Sequence, residues 1–370
     1  MKTWSVVVRV LISMVSHNEP MVRRPYPTWN DLTYPDLEDV WQALRETRSD
    51  PPGWAGSGNA ARRKTYNSAL EQAEQLLKAA ADVGPASRPL LLFYGLSQAG
   101  RAIAAAGQQP DYRLNGHGIA IKQADQPHVG RVLVADKGAG AFTQVASLLG
   151  SRSLPQEVEL ADLWNIIEEN DGWPLTSAPS SVRCLRVTRK PVGPDSFSQV
   201  ALDLDGLSDE VAPHRDDQDQ LAAAIRQKLS AFPTVAGYEF LHGPASFSGR
   251  DEKRGTVTVS LAWPLGRPEQ ASDQDVESVM NTLTPWIGRD PLQRRVHSVL
   301  GGDGAQLHPF LAWWSVLYSL SMLARYQPGQ WTTQIDVNHS VDAAAVERLL
   351  RKALIAVPEL TLATIDEVSR

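Results

Sequence analysis

A single cysteine in 370 residues, Cys184, removes two classes of protein at once: a disulfide-stapled framework and a Cys-based zinc site. A basic excess is missing as well. Lys and Arg total 36 against 42 Asp and Glu, a formal charge of −6, so a broad nucleic-acid footprint is not expected. A narrow groove for a nucleotide or a single strand stays open. Long apolar runs are lacking too. The nearest approach is residues 4–15, interrupted by Arg9 and well short of the roughly 20 residues that cross a bilayer. No small-residue cleavage site follows it, so it reads as an edge strand or an N-terminal extension, and the chain is expected to be cytoplasmic, without membrane insertion. The common ligand motifs are also absent. The eight His contain no H-E-x-x-H, no G-x-G-x-x-G occurs, and residues 136–143 hold glycines and a lysine in the wrong order for a P-loop. No metal and no cofactor are therefore expected.

What is present is core material. Apolar residues make up 42% of the chain, including 11 Trp, and charged residues only 21%, which excludes a disordered chain. Residues 1–58 are punctuated by Pro, Trp and Asp around one short helical stretch at 36–48, and read as a wrapping arm. Residues 59–110 form a helical pair. In the first member, Ala69, Leu70, Ala73, Leu76, Leu77 and Ala80 recur at spacings of three and four, and Gly84-Pro85 ends it. The second runs through 89–106 to Gly107. Residues 111–268 change character: 118–122, 131–135, 182–188, 200–204 and 256–262 are short and β-branched, with helical pieces at 160–169 and 216–232 between them. Residues 269–370 return to helix at 276–287, 309–325 and 341–355, with Asp342 favouring the start of the last. Helices, then strands, then helices predict an α+β fold, in which N- and C-terminal helices pack together around a central β-rich region. Local basic clusters (Arg62-Arg63-Lys64, Arg294-Arg295, and Arg183, Arg186, Arg189 and Lys190) read as solvated faces.

One segment imitates catalysis. In residues 90–102 an apolar run leads into Gly95-Leu-Ser97-Gln-Ala99 and then small residues, like the nucleophile elbow of an α/β-hydrolase, with Asp136 available as a triad acid. Two observations oppose it. Too few strands precede it, and the segment has an echo. Tyr94, Leu96, Ser97 and Arg101 match Tyr318, Leu320, Ser321 and Arg325, both copies reading Tyr-x-Leu-Ser-x-x-x-Arg. The second copy has helical patterning and no glycine. If the first is helical too, Tyr94, Ser97 and Arg101 share one face, and Gly95 and Gly100 permit close helix approach.

At these residues the chain resembles the YaaC-like family. The resemblance lies in residues 92–104, in Gly116-His117-Gly118, and in residues 317–328 with Trp331 close behind, and it spans about 30–365. It implies a bacterial, cytosolic setting. No reaction and no catalytic residue come with it.

Flanking helices also invite comparison with HEPN-type helical nucleases, which use an arginine and a histidine spaced R-x4–6-H. No histidine here has that spacing; Arg113 to His117 is one residue too short. These readings converge on a binding or interaction module. Its expected ligand-binding residues are Tyr94, Ser97, Arg101, His117, Tyr318, Ser321 and Arg325, set in a groove between helices that takes an anion (a nucleotide or a nucleic-acid end) or a partner protein. A serine hydrolase using Ser97 and a HEPN-like nuclease are the alternatives.

Overall fold

A computed structural model describes residues 36–170, 172–177, 183–188, 199–205, 214, 217–235, 246–248, 256–262, 294–300 and 306–370. The stretches expected at 4–15 and 276–287 lie outside the described residues. Helix α1 (Leu37–Ser49) starts where Asp36 accepts a hydrogen bond from Glu38 N, and the short α2 (Gly53–Ser57) follows. Helix α3 (Ala60–Ala81) is capped by Asn59, which accepts from Arg62 N at 2.9 Å. Helix α4 (Arg88–Ala106) has Pro89 in its first turn, where the missing N–H is harmless, and ends at Gly107. The expected helical pair is thus α3 and α4, packed as a hairpin.

Arg62 corrects one expectation. It is almost fully buried, not part of a solvated face. Its guanidinium donates to the carbonyls of Ala104, Ala105, Gly107 and Gln109 and lies over the rings of Trp54 and Tyr112. A cation at a helix C-terminus, meeting several otherwise orphaned carbonyls, compensates for the loss of water.

Two antiparallel sheets follow. The first has the order β1-β2-β3, with β1 (Ile119–Lys122), β2 (Leu133–Asp136) and β3 (Val158–Glu159). Helix α5 (Ala141–Leu148) lies between β2 and β3 in sequence, and α6 (Leu160–Trp164) follows β3. The second sheet has the order β6-β7-β5-β4-β8. Its strands are β4 (Cys184–Thr188), β5 (Gln199–Asp205), β6 (Ser246–Ser248), β7 (Thr256–Ala262) and β8 (Arg294–His297), with helix α7 (Gln218–Leu229) capped by Asp217. Strand β8, paired with β4, corrects a second expectation: Arg295 is buried with its guanidinium 3.7 Å from Glu168, and Arg183 pairs with Asp162 at 2.9 Å. These arginines anchor the second sheet to the segment around α6. Beside them His297 is buried, which pushes its imidazole down to about 3, with Arg295 acting in the same direction.

The chain then returns to helix. Helix α8 (Pro309–Tyr326) is buried from Phe310 to Leu323. Its cap is His308: Nδ1 accepts from Phe310 N at 3.1 Å, which leaves the proton on Nε2, 3.1 Å from Glu367. Helix α9 (Pro328–Ile335) sends Gln330 and Gln334 to the carbonyls of Gln126 and Pro127, and Trp331 to those of Pro85 and Ala86. Helix α10 (Ala343–Ser369) is longer than its periodicity predicted. It runs on through Pro358, because buried residues on both sides hold the helix where the proline removes one backbone bond. Asp342 sits at its start as expected, but its carboxylate accepts from Thr176 N and from Ser177 rather than from its own helix. Helix α4 lies against α3, α8 and α10, so the N- and C-terminal helices pack together as the α+β reading predicts. Among the described residues no helix is long and apolar enough to cross a membrane.

Candidate functional site

The site is built on α4, α8 and one short loop. Both copies of Tyr-x-Leu-Ser-x-x-x-Arg are helical. The strand and sharp turn of a nucleophile elbow are therefore missing: Ser97 stands mid-helix, buried, in the unbroken α4. The proposed triad acid is occupied elsewhere, since Asp136 accepts from Ser153 Oγ at 2.6 Å and from Leu154 N at 2.8 Å. The helices meet in opposite order. Phe93 packs edge-on to Tyr318, with ring centroids 5.3 Å apart, and further along α4 Gly100 meets the Trp314 ring.

His117 reaches this seam because its loop is locked from below. Gly116 and Gly118 have φ of +61° and +71°, values that glycine adopts without strain. Gly118 lies directly on Gly140: a Cβ at 140 would stand 2.4 Å from Gly118 N. The first two N–H groups of α5, Ala141 and Phe142, donate to the carbonyls of Gly116 and His117 at 3.3 and 2.9 Å. The glycine turn at 136–143 thus uses its helix N-terminus to hold the loop, which leaves those donors unavailable to a phosphate.

The imidazole so presented is exposed, and its ring centre lies 5.5 Å from Phe93 and 5.8 Å from Tyr318. It makes no side-chain hydrogen bond among the described residues. Arg325 donates to Tyr94 Oη at 2.9 Å, across the helix seam, and lies 5.0 Å over the exposed Tyr326 ring. Arg101 donates to Leu114 O at 2.8 Å, on the loop that leads to His117. Neither arginine pairs with a carboxylate among the described residues. Partial burial, then the charges of Arg101 and Arg325, hold the His117 imidazole below its ordinary pKa. Burial, with Tyr326 adding to it, raises that of Tyr318.

Of the seven expected residues, Tyr94, Arg101, His117, Tyr318 and Arg325 come together. The two serines are buried instead. Ser321 is fully buried and its hydroxyl donates to Tyr318 O at 2.7 Å, so it closes a turn of α8 rather than facing a ligand. Ser97 is buried in the helix interface. Sequence reasoning missed Phe93 and Tyr326, each next to an expected residue in the chain, because helical periodicity places immediate neighbours about 100° apart. Among the described residues no group of His, Cys, Asp and Glu could hold a metal ion.

A family model described as YaaC-like Protein matches residues 37–365, nearly the whole chain. No curated protein and no solved structure matches it.

Proposed function

The chain belongs to the YaaC-like family, and from that premise we propose that it is a binding module whose α4–α8 seam receives an anionic group, a nucleotide or a nucleic-acid end, in the cytoplasm of a bacterial cell. One observation carries this reading: Arg101 and Arg325 both act on His117, and neither has a carboxylate partner among the described residues. The buried Arg62 meets four carbonyls, whereas Arg101 and Arg325 each meet a single neutral acceptor at or near the surface. Here each guanidinium is only partly used, by one neutral acceptor, so charge-assisted donors remain for a ligand.

The test is a melting-temperature series with phosphate, sulfate, nucleotides and short oligonucleotides. A ligand that binds only the folded state stabilises by about 2.7 kcal/mol at a hundred times its dissociation constant. The rise should vanish in Arg101→Ala and in Arg325→Ala. A flat response across all these anions removes the anion reading. A helical nuclease would draw on the same histidine and arginines, outside the R-x4–6-H spacing; RNA cleavage lost in His117→Ala would establish it in place of simple binding.

A further inference from the structure

The seam is rich in donors, and this narrows what it can hold. Arg325 donates to the Tyr94 oxygen, so the Tyr94 O–H is left to donate outward. The Arg101 guanidinium gives one N–H to Leu114 O and retains others. The His117 ring makes no side-chain hydrogen bond among the described residues, is exposed, and is fixed in place by the glycine-locked loop. Arg325 meets Tyr94 across the helix seam, the His117 ring lies 5.8 Å from Tyr318, and Arg101 holds the loop that carries it, with no carboxylate bonded to these groups among the described residues.

We propose that this site takes a phosphate monoester in its dianionic form, and that His117 takes up a proton as the dianion arrives. The inference rests on the anion reading above and adds the charge class of the ligand and the proton. Partial burial and the two guanidinium charges oppose a third positive charge, which favours the neutral imidazole. A dianion balances both guanidinium charges and leaves the imidazole facing acceptor oxygens with no opposing field. The imidazolium then becomes the favoured form and gives a further charge-assisted hydrogen bond. A diester or a carboxylate carries one charge, balances one arginine, and gains less from the proton.

The ionisable groups on the segments packed around His117 agree with this. Helix α4 brings Arg101 and Tyr94, and α8 brings Tyr318, Arg325 and Tyr326. The neighbouring loops carry Asp111 and Arg113 before His117, and Asp136 and Lys137 after it; Asp111 accepts from Arg113 N, and Asp136 is held by Ser153 and Leu154. The sign follows from linkage. The free imidazole is held below its usual pKa and a bound dianion raises it, so uptake is greatest between the free and bound values, and affinity falls as pH rises through that window.

Sulfate is the cleanest probe, because it stays a dianion throughout. Calorimetric titration near pH 7, in two buffers of different ionisation enthalpy, should show net proton uptake on binding sulfate. In His117→Gln the uptake should vanish while weaker binding persists. Methyl phosphate should bind roughly tenfold or more tightly than dimethyl phosphate. A 5′-phosphorylated oligonucleotide compared with its 5′-hydroxyl form then separates the two sources of a terminal phosphate: a preference for the phosphorylated end assigns it to nucleic acid, and no preference to a small molecule. Sulfate bound without proton uptake, or dimethyl phosphate bound as well as methyl phosphate, overturns this inference and leaves the anion site standing. Failure of every anion to bind overturns both.

Discussion

The two Tyr-x-Leu-Ser-x-x-x-Arg copies carry the same letters into opposite circumstances. The copy in α4 lies between two helices, and its glycines make room on each side: a Cβ at Gly95 would stand 2.7 Å from the Leu77 side chain of α3, and one at Gly100 would stand 2.3 Å from Trp314 of α8. At the matching positions α8 has Ser319 and Ala324, and Ser319 is satisfied by Ser315 O one turn back. The tyrosines exchange roles as well. Tyr94 is 37% exposed and bonded to Arg325, while Tyr318 is 6% exposed and packed edge-on against Phe93. The reciprocal bond, from Arg101 to Tyr318, is not made; Arg101 donates instead to the loop that carries His117. A shared local pattern therefore fixes which side chains lie on one helix face, while the neighbours decide which of them is buried and which is presented. The departure from symmetry is where His117 enters.

Perturbing the two copies in parallel breaks this comparison in graded steps. The largest effect should come from the helix ends. The C-terminus of α4 depends on the buried Arg62, whereas α8 ends at the exposed Tyr326. Arg62→Ala leaves four carbonyls without their donor and should cost about 3 kcal/mol or more in chemical denaturation; a loss below 1 kcal/mol would show that water replaces the guanidinium. Gly100→Ala should follow, at about 1–3 kcal/mol, by driving a methyl into the Trp314 ring. Its mirror, Ala324→Gly, creates no clash and should cost only about 1 kcal/mol of helix propensity. Equal costs would mean that the two positions are equivalent after all. The smallest effect is Tyr94→Phe, which deletes one cross-seam bond to an exposed arginine and should cost about 0.5–1 kcal/mol.

Much of the scaffold was legible from patterning. Asp36, Gly107 and Asp217 mark helix ends where capping chemistry places them, and the echo pointed toward helix for residues 90–102 and away from a strand-turn-helix elbow, as the structure shows. The misreadings share a physical cause. Arg62 and Arg295 look like surface charges in sequence, since their partners (four carbonyls at and just beyond the end of α4, and Glu168) adjoin them only after folding. His308 as a cap, and α10 continuing past Pro358, likewise depend on tertiary contacts. The shared helix faces of Tyr94 with Arg101 and of Tyr318 with Arg325 were readable because helical spacing is local. Ser97 and Ser321 were misread because periodicity gives a face and not the direction in which that face looks. His117 was readable only as an unusual residue between glycines; the contact of Gly118 with Gly140 that aims it joins residues 22 apart in sequence.

The central claim is that Arg101 and Arg325 serve one anion rather than two separate neighbourhoods. Sulfate affinity measured by calorimetry in wild type, Arg101→Gln, Arg325→Gln and the double variant tests it most directly. One shared ligand predicts that each single change removes most of the binding and that the double change adds little, a coupling of about 1 kcal/mol or more. Losses that simply add, or affinity unchanged in either single variant, would contradict a shared site.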